Sequence, residues 1–238
     1  MPVPPEQLLR ATAHSWGLQL DERQLAQFAI YAEALVAWNA HTNLTTVTSR
    51  EAVYVRHFLD SLSLARFWGD PPATLADLGS GAGFPGLPLK ILRPELALTL
   101  VDSVGKKTAF LRHVVALLEL DAVRIVTGRA EELGRNPYER ERYDLVTARA
   151  VADLRVLVEY GLPLLRLGGR LLAPKGAAAY EEATAAARAI ALLGGELLGV
   201  EPVDLPGLDS RAIVVVRKVA PTDPRYPRAV GLPARRPL

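Results

Sequence analysis

A glycine-rich loop at residues 79–86, with the sequence Gly-Ser-Gly-Ala-Gly-Phe-Pro-Gly, constrains the fold of this chain more than any other feature. The loop follows a short apolar run at residues 74–78 and leads into an apolar stretch of helical character. Its glycines remove side chains where the backbone must turn tightly or approach a ligand closely. Residues 81–86 also match G-x-G-x-x-G, the pattern of a strand–loop–helix unit that binds a dinucleotide. The loop therefore predicts an α/β fold with a ligand site beside it.

Short apolar runs alternate with helical stretches from residue 73 onward, which predicts a mostly parallel sheet with helices on both faces. The predicted strands are Thr74–Leu78, Ala97–Val101, Arg124–Thr127, Tyr143–Ala148, Gly169–Ala173, Glu196–Val203 and Ala212–Arg217. The predicted helices are Gly86–Leu92, Lys106–Leu120, Leu154–Leu165 and Tyr180–Leu193. Since residues 204–210 leave no room for a helix, the last two strands are expected to form an antiparallel pair at one edge.

The first 72 residues form a separate section with a helical apolar pattern. Apolar residues recur at helical spacing from Leu25 to Val36, and Asp21 is placed to cap that helix. After a polar break at residues 39–43, a second helix is predicted from about Ser49 to Trp68. We therefore predict a helical extension at 1–72 that packs on the core, an α/β domain at 73–218 and a basic, proline-rich tail at 219–238.

Composition excludes several kinds of chemistry. The 238-residue chain has no cysteine, so it can form no disulfide, thiolate metal site or cysteine nucleophile, and its four histidines lack metal-ligand spacing. No signal-peptide pattern and no run of 18 apolar residues is present, so we expect a cytoplasmic monomer without a membrane segment or a metal. The net charge is +2, but the last 22 residues hold six basic residues against one acidic residue. This tail is either solvated or in contact with a polyanion.

An acidic residue, Asp102, follows the second predicted strand and lies 23 positions after Gly79. A carboxylate there can accept hydrogen bonds from two ribose hydroxyls, as in NAD or S-adenosylmethionine. Three features favour S-adenosylmethionine. Asp77 precedes the first glycine and can bind the positive methionine end through water or amide groups. The Gly-Arg-Ala-Glu sequence at 128–131 follows the third strand, where a turn that reads adenine would lie, and the terminal antiparallel pair is usual for methyltransferases.

The segment at residues 77–89, Asp-Leu-Gly-Ser-Gly-Ala-Gly-Phe-Pro-Gly-Leu-Pro-Leu, resembles the glucose-inhibited division protein B family. These methyltransferases modify N7 of a guanine in 16S ribosomal RNA of the small ribosomal subunit. The phenylalanine–proline pair is specific to the family, whereas the glycines are generic. The resemblance extends to about residue 217 through Trp38-Asn-x-x-x-Asn-Leu-Thr45, Arg56-His-x-x-Asp-Ser61, Asp102-Ser-x-x-Lys-Lys107, Arg129-Ala-Glu131, Thr147-Ala-Arg-Ala150 and Pro174-Lys-Gly176.

The resemblance implies a class I S-adenosylmethionine-dependent methyltransferase fold, Rossmann-like, with a seven-stranded sheet that ends in an antiparallel pair. The expected cofactor-binding residues are Asp77, Gly79, Gly81, Phe84, Asp102, Ser103, Val104, Ala130, Glu131 and Arg149. On physical grounds Asp102 would hold the ribose, Val104 would pack on an adenine face, and Glu131 or the adjacent amide would read the adenine edge. Arg149 could contact either the methionine carboxylate or an RNA phosphate.

Guanine N7 carries a lone pair and no proton, so its in-line attack on a methyl group needs no general base. Catalysis can then rest on positioning, which agrees with a sequence that shows no evident acid–base pair. The candidates for orienting the guanine are Asn39, Asn43, His57 and Lys175, besides Arg149. Alternatively, the asparagines cap helices and form turns, His57 is a packed histidine, and Lys175 is a solvated loop residue.

Basic residues are expected to contact RNA phosphates through charge alone. They are Arg10, Lys106, Lys107, Arg129, Arg135, Lys175 and the tail arginines, including Arg235 and Arg236. Lys106 and Lys107 could instead simply begin a helix. No stripe of aromatic residues for single-strand binding is evident, so folded 16S RNA or the small subunit is the expected partner. Two other classes stay open: a methyltransferase of small molecules or proteins, and a dehydrogenase or non-catalytic nucleotide-binding module.

Overall fold

The computed structural model describes residues 3–238 and has a seven-stranded sheet at its centre. The strands are β1 (Thr74–Leu78), β2 (Ala97–Asp102), β3 (Val123–Thr127), β4 (Tyr143–Ala148), β5 (Leu165–Lys175), β6 (Gly195–Leu205) and β7 (Leu208–Lys218). Their order in the sheet is β3-β2-β1-β4-β5-β7-β6. The pairs among β1 to β5 are parallel, and β7 is antiparallel to both β5 and β6. The predicted fold class, including the terminal antiparallel pair, is confirmed.

Helices cover the sheet and precede it. They are α1 (Pro5–Ser15), α2 (Glu22–Asn39), α3 (Arg50–Val53), α4 (Asp60–Leu62), α5 (Gly86–Leu92), α6 (Gly105–Leu117), α7 (Ala130–Arg135), α8 (Leu154–Gly161), α9 (Ala179–Leu192) and α10 (Leu232–Arg235). A π-helical stretch (Tyr54–Leu59) joins α3 to α4, and a 3₁₀ turn (Ser63–Arg66) follows α4. Among residues 3–238, no helix combines the length and the apolar character needed to span a bilayer.

Capping residues begin the N-terminal helices where the sequence places them. The Asp21 side chain accepts a hydrogen bond from the Gln24 amide, and the Gln24 side chain accepts one from the Asp21 amide. This reciprocal arrangement is a capping box, and it confirms the predicted start of α2. Ser49 caps α3 through the Ala52 amide, which confirms the start of the second helical section. That section ends at Arg66 and is irregular, whereas the sequence predicts one helix to Trp68.

Two boundaries differ from the sequence prediction around the fifth strand. Helix α8 ends at Gly161, and β5 already begins at Leu165, four residues before the predicted start. The pairing of β4 with β5 shifts register at this point, and a Cβ on Gly169 would lie within 3.0 Å of three backbone oxygens. The glycines at 168 and 169 therefore form a bulge inside the strand, where the sequence suggested that a strand begins. Helix α7 was not predicted at all.

The N-terminal helices share one hydrophobic core with β1, β2, α5 and α6. In that core Phe28 and Phe58 lie with ring centroids 4.9 Å apart, and Tyr31 stacks on Phe84 at 5.3 Å. Because Phe84 belongs to the glycine loop, the N-terminal helices directly support the loop. A second core lies on the other face of the sheet, where α8 and α9 pack against β4, β5 and β7.

Candidate active site at the carboxyl ends of the strands

Two adjoining cavities lie where β1 to β4 end, the edge at which α/β sheets bind ligands. The inner cleft has a volume of about 320 Å³ and is lined by Gly79, Val101, Asp102, Ser103, Val104, Lys107, Gly128, Arg129, Ala130, Glu131, Ala150, Val151, Ala152, Tyr160 and Ala234. The outer cavity has a volume of about 770 Å³ and is lined by Asn39, Asn43, Leu44, Thr45, Thr46, Thr48, His57, Gly79, Ser80, Gly81, Ala82, Phe84, Lys107, Arg149 and Ala150. The two cavities share Gly79, Lys107 and Ala150.

Glycines in the loop after β1 are required by close contacts as well as by backbone angles. Gly79 has φ +65°, and a Cβ there would lie 2.5 Å from a methyl of Val151. Gly83 has φ +99°, and a Cβ there would lie 2.6 Å from the hydroxyl of Tyr31. Any side chain would therefore push the loop away from α2 and from the segment after β4. Because Gly79 has no side chain, its backbone can lie against Val151 at the point where the two cavities meet.

Asp77 lies behind the glycine loop and lines neither cavity. Its side chain is fully buried, and it accepts hydrogen bonds from the Gly86 amide and the Thr147 hydroxyl, both at 3.1 Å. Burial raises the pKa of Asp77 to about 7, although these two bonds act in the opposite direction. The carboxylate thus holds the loop against β4. Any influence on the methionine end of a cofactor has to pass through the loop amides.

Asp102 ends β2 at the inner cleft with its carboxylate already oriented. One oxygen accepts a hydrogen bond from the Gly81 amide and the other from the Val104 amide, both at 2.9 Å. Lys107 lies 3.9 Å away. Beside it, Val104 exposes 44% of its surface. A carboxylate and an exposed apolar side chain at adjacent positions suit a ribose and a flat ring.

Glu131 has one occupied and one free carboxylate oxygen. The residue is fully buried. Its Oε1 accepts a hydrogen bond from the Gly231 amide at 2.9 Å and lies 3.4 Å from the guanidinium of Arg129. Burial raises the pKa of Glu131, but the bonds from Gly231 and Arg129 outweigh it and hold the pKa below its usual value. Within residues 3–238, Oε2 makes no hydrogen bond of normal geometry, although the hydroxyl of Tyr160 lies close enough for Glu131 to contribute to the raised pKa of Tyr160. An ionised, unpartnered oxygen beside the inner cleft fits a ligand that donates a hydrogen bond, such as an exocyclic amine.

Phe84 and His57 join the glycine loop to the N-terminal helices at the outer cavity. Their rings stack with centroids 4.3 Å apart and planes inclined by 19°. The guanidinium carbon of Arg149 lies 5.1 Å from the centroid of the Phe84 ring. Only 4% of Phe84 is exposed, so its main effect is to shape the loop. The predicted residues Phe84, His57 and Arg149 are thus brought together.

Arg149 is held by an acidic side chain that sequence reasoning did not identify as part of the site. Its guanidinium donates to Asp60 at 2.8 Å, to the carbonyl of Arg56 at 2.9 Å and to Nδ1 of His57 at 3.1 Å. Burial, together with the charge of Arg149, lowers the pKa of His57 to about 3. Nδ1 also lies 3.1 Å from the carbonyl oxygen of Arg56, but that oxygen already accepts a hydrogen bond from Arg149. Because a guanidinium only donates, we assign Nδ1 as an acceptor and Nε2 as a donor to Thr45, 2.9 Å away. His57 is therefore neutral, and both ring nitrogens are occupied.

The two predicted asparagines have different environments. Asn39 accepts hydrogen bonds from the amides of Leu44 and Thr45 and donates to the carbonyl of Thr45, at 2.8 to 3.0 Å. Its side chain therefore holds the loop after α2, which matches the alternative turn-forming role. Asn43 is exposed and lines the outer cavity, and its side chain makes no hydrogen bond within residues 3–238. Asn43 is thus free to contact a substrate.

Lys175 lines neither cavity. Its ammonium group donates to the carbonyl of Ala152 and pairs with Glu182, both at 2.7 Å, and only 10% of the side chain is exposed. The structure does not bring Lys175 to the site, because these contacts hold it between β5 and α9. We therefore assign it no role in contacting guanine or RNA.

The other predicted RNA-binding residues are spread over the surface. Lys107 lines both cavities, Lys106 is exposed on the same turn of α6, and Arg129 lines the inner cleft. Arg235 and Arg236 are exposed on either side of the end of α10. Away from the cavities, Arg10 pairs with Glu22, and Arg135 donates to a backbone carbonyl of residues 219–238.

Sequence reasoning missed several residues that line the cavities. Val151 and Ala152 follow β4 in a segment that Ala150 enters with φ +57°. Tyr160 reaches the inner cleft from α8, and burial raises its pKa to about 12. Ala234 comes from the last residues of the chain. Val151 and Ala152 directly follow the Thr147–Ala150 motif, whereas no sequence pattern identifies Ala234.

A family model described as rRNA small subunit methyltransferase G matches residues 24–211. The chain belongs to this family. A protein named Ribosomal RNA small subunit methyltransferase G from Roseiflexus castenholzii is 61% identical over 98% of this chain and 99% of its own length. Proteins of the same name are 57% identical in Chloroflexus aggregans, over 98% of both chains, and 46% identical in Leuconostoc mesenteroides, over 94% of this chain and 95% of the relative.

Solved structures show the same fold at low sequence identity. Cofactor-bound Rv0187 from MTB superimposes with a TM-score of 0.60 at 20% identity, over 92% of this chain and 99% of that chain. TrmN from Thermus thermophilus has a TM-score of 0.54 at 19% identity and covers 70% and 53% of the two chains. The predicted family and fold are confirmed, and the cofactor of this methyltransferase G member is S-adenosylmethionine.

The residues of the inner cleft fit that cofactor. Asp102 keeps lone pairs for ribose hydroxyls after accepting two backbone amides, since a carboxylate has about four acceptor sites. The orphaned oxygen of Glu131 fits the exocyclic amine of adenine, and Val104 presents an apolar surface for the ring. The glycine loop at residues 79–83 then leads from the inner cleft to the outer cavity, where a methyl group would meet its acceptor.

Proposed function

We propose that this protein transfers a methyl group from S-adenosylmethionine to N7 of a specific guanine in 16S ribosomal RNA. The observation that carries the proposal is the junction of the inner cleft with the outer cavity at Gly79, Lys107 and Ala150. One cavity has the donor and acceptor groups for an adenosyl ligand. The other is wide, is lined by polar and basic side chains, and reaches the same point.

The lining of the outer cavity supports N7 as the acceptor atom. Within residues 3–238, no aspartate or glutamate lines this cavity. Its one histidine, His57, is neutral and bonded at both ring nitrogens. A target that loses a proton, such as an exocyclic amine or a hydroxyl, needs a base that this cavity does not offer. N7 needs none, because its lone pair is free.

The residues of the chain then act by positioning. S-adenosylmethionine supplies an electrophilic methyl group on a sulfonium. Asn43 is placed to donate or accept a hydrogen bond at the guanine edge, and Phe84 with His57 forms a rigid floor. Arg149 pairs with Asp60, which also lies 3.6 Å from the guanidinium of Arg211, so this carboxylate offsets only part of the positive charge of the two arginines. Removing the entropy of encounter in this way can supply several kcal/mol, on the order of 7 or more.

Phosphate contacts would come from the basic residues around the cavities. Lys106, Lys107 and Arg129 follow the second and third strands, and Arg235 and Arg236 lie next to the inner cleft. Exposed cations of this kind attract phosphate without reading sequence. We propose 16S RNA, free or in the small subunit, as the partner, and the cytoplasm as the location. Both cavities are built within a single chain, which is compatible with a monomer.

The test is methyl transfer from labelled S-adenosylmethionine to small ribosomal subunits and to their bare RNA, both from a strain that lacks the gene. We expect label at one guanine N7 in at least one acceptor, located by mapping the modified base. Label at a different atom or in a ribosomal protein would refute the proposal. If neither acceptor is labelled although the cofactor binds, a small molecule or another protein becomes the substrate.

A further inference from the structure

We propose that the C-terminal strap, residues 226–238, is part of the cofactor site and holds the carboxylate of Glu131 in position for the adenine amine. The inference rests on the proposed function, because it assumes that the inner cleft holds the adenosyl group. The strap lies beyond residue 211, where the family model ends, although a relative of the same family is matched over 98% of the chain. The basic composition of the strap suggests a contact with polyanions, but several of its residues form hydrogen bonds and an ion pair with α7, α8 and the segment after α7.

The strap is attached firmly to α7 and α8. Arg228 binds Glu159 through three nitrogens: its amide, Nε and Nη2 lie 2.7 to 2.9 Å from the carboxylate oxygens. Glu159 is fully buried. A buried carboxylate that loses its partner is strongly destabilising, so this pair fixes the start of the strap. On α7, a Cβ on Gly134 would lie 2.9 Å from the ring of Pro227, which shows how closely the strap approaches.

Two arginines hold the strap by its backbone. Arg135 donates to the carbonyl of Pro227 at 2.8 Å, and Arg140 donates to the carbonyl of Tyr226 at 2.6 Å. Both arginines lie at or just after the end of α7, the helix that begins with Ala130 and Glu131. The strap is therefore attached to the end of α7, and Glu131 lies at the start of the same helix. Helix α7 thus determines the distance between the strap and Glu131.

The contact with the cofactor site follows directly from this attachment. The amide of Gly231 donates to Oε1 of Glu131 at 2.9 Å, and three residues later Ala234 lines the inner cleft. Gly231 has φ +77°, a conformation that favours glycine and lets the chain turn into α10. One oxygen of Glu131 is thus occupied by the strap, and among the described residues 3–238 the other, Oε2, has no hydrogen-bond partner of normal geometry. Fixing one oxygen fixes the rotation of the carboxylate and so the direction of the free oxygen.

The first experiment removes residues 229–238 and keeps Arg228 with its buried partner. Calorimetry would measure the Kd for S-adenosylhomocysteine and for S-inosylhomocysteine, which has an oxo group in place of the adenine amine. We expect the truncated protein to bind S-adenosylhomocysteine about tenfold more weakly or worse, the loss expected for one hydrogen bond to a charged group. It should also lose most of its preference for the amine-bearing ligand. The Val230→Ala variant is the control, since that side chain is 45% exposed and lines neither cavity.

A second variant keeps the test open if the truncated protein fails to fold. Ala234→Phe places a ring at the inner cleft and should weaken S-adenosylhomocysteine binding at least tenfold. Ala229→Phe, at an exposed position of the strap that lines neither cavity, should not. A folded truncated protein with wild-type affinity would overturn the inference, and so would an Ala234→Phe variant with wild-type affinity. An equal loss for both ligands would overturn the positioning of Glu131. Wild-type protein that binds S-adenosylhomocysteine but labels no RNA would instead refute the proposed function.

Discussion

Replacing Asp102 by asparagine should weaken the binding of S-adenosylhomocysteine by about a hundredfold while the fold survives. The carboxylate ends β2, accepts the amides of Gly81 and Val104 at 2.9 Å each, and faces the inner cleft. Its remaining lone pairs are available to two ribose hydroxyls. Hydrogen bonds to a charged group contribute about 1.5–3 kcal/mol each. Asparagine keeps one acceptor oxygen but carries no charge, so one of these bonds is lost and the other is weakened. A total loss of about 3 kcal/mol is on the order of a hundredfold in Kd.

The same substitution has a smaller effect on stability. Asparagine keeps the shape of aspartate and one acceptor oxygen, but its amide group then faces one of the two backbone N–H groups. We expect a loss of about 1–3 kcal/mol in the free energy of unfolding, the cost of one unsatisfied amide contact. This is less than the 5–15 kcal/mol that stabilises most domains, so the variant should remain folded.

Calorimetric titration with S-adenosylhomocysteine measures the affinity, and denaturant unfolding measures the stability. Asp153→Asn is a matched control. Asp153 also follows a strand and accepts the amide of Arg155 at 2.9 Å, but it lines neither cavity. Its replacement should leave the Kd unchanged. If folded Asp102→Asn binds within threefold of the wild type, the ribose assignment and the placement of the adenosyl group are both refuted.

Three other predictions concern pH, substrate contact and RNA affinity. Because burial raises the pKa of Asp77 to about 7, the folded state retains a proton that the unfolded chain releases near pH 4. Stability should therefore fall by up to about 4 kcal/mol between pH 4 and 7, and Asp77→Asn should flatten this slope in denaturant unfolding. Asn43→Ala should lower the rate of methyl transfer without changing the affinity for S-adenosylhomocysteine, and equal transfer rates in wild type and variant would contradict the substrate contact. Asn39→Ala should instead lower the free energy of unfolding by about 1–3 kcal/mol, since it removes three loop hydrogen bonds. Lys107→Ala should reduce the slope of log affinity for RNA against log salt by about 1, measured by filter binding, and an unchanged slope would remove Lys107 from the RNA interface.

Sequence patterns predicted the parts of the molecule that depend on neighbouring residues. The glycine loop, the order of strands and helices and the caps at Asp21 and Ser49 all lie within a few positions of the residues that cause them. Asp102 was found because it follows a strand whose end has a defined place in an α/β sheet. The bulge at residues 168–169 was missed, because a glycine pair inside a strand looks like a strand boundary until its partner strand is known.

The same limit applies to single residues of the site. Lys175 and Arg149 both follow strands and both carry a positive charge, so the sequence treats them alike. In the structure, Glu182 and the carbonyl of Ala152 hold Lys175 behind the lining of the inner cleft, whereas Asp60 holds Arg149 at the outer cavity. The position of each cation depends on the carboxylate with which it pairs in the folded protein. Asp60 is far from Arg149 in the sequence, and no sequence motif identifies Glu182 as the partner of Lys175.

By itself the sequence determined the fold class, the glycine loop and the family, because local spacing and residue type carry that information. Only the tertiary structure decided which distant residues meet around the two cavities. Gly231 and Glu131 are 100 positions apart, and Arg149 and Asp60 are 89 apart. Contacts over such separations depend on how the sheet brings chain segments together, and short-range patterns in the chain do not encode which atoms meet.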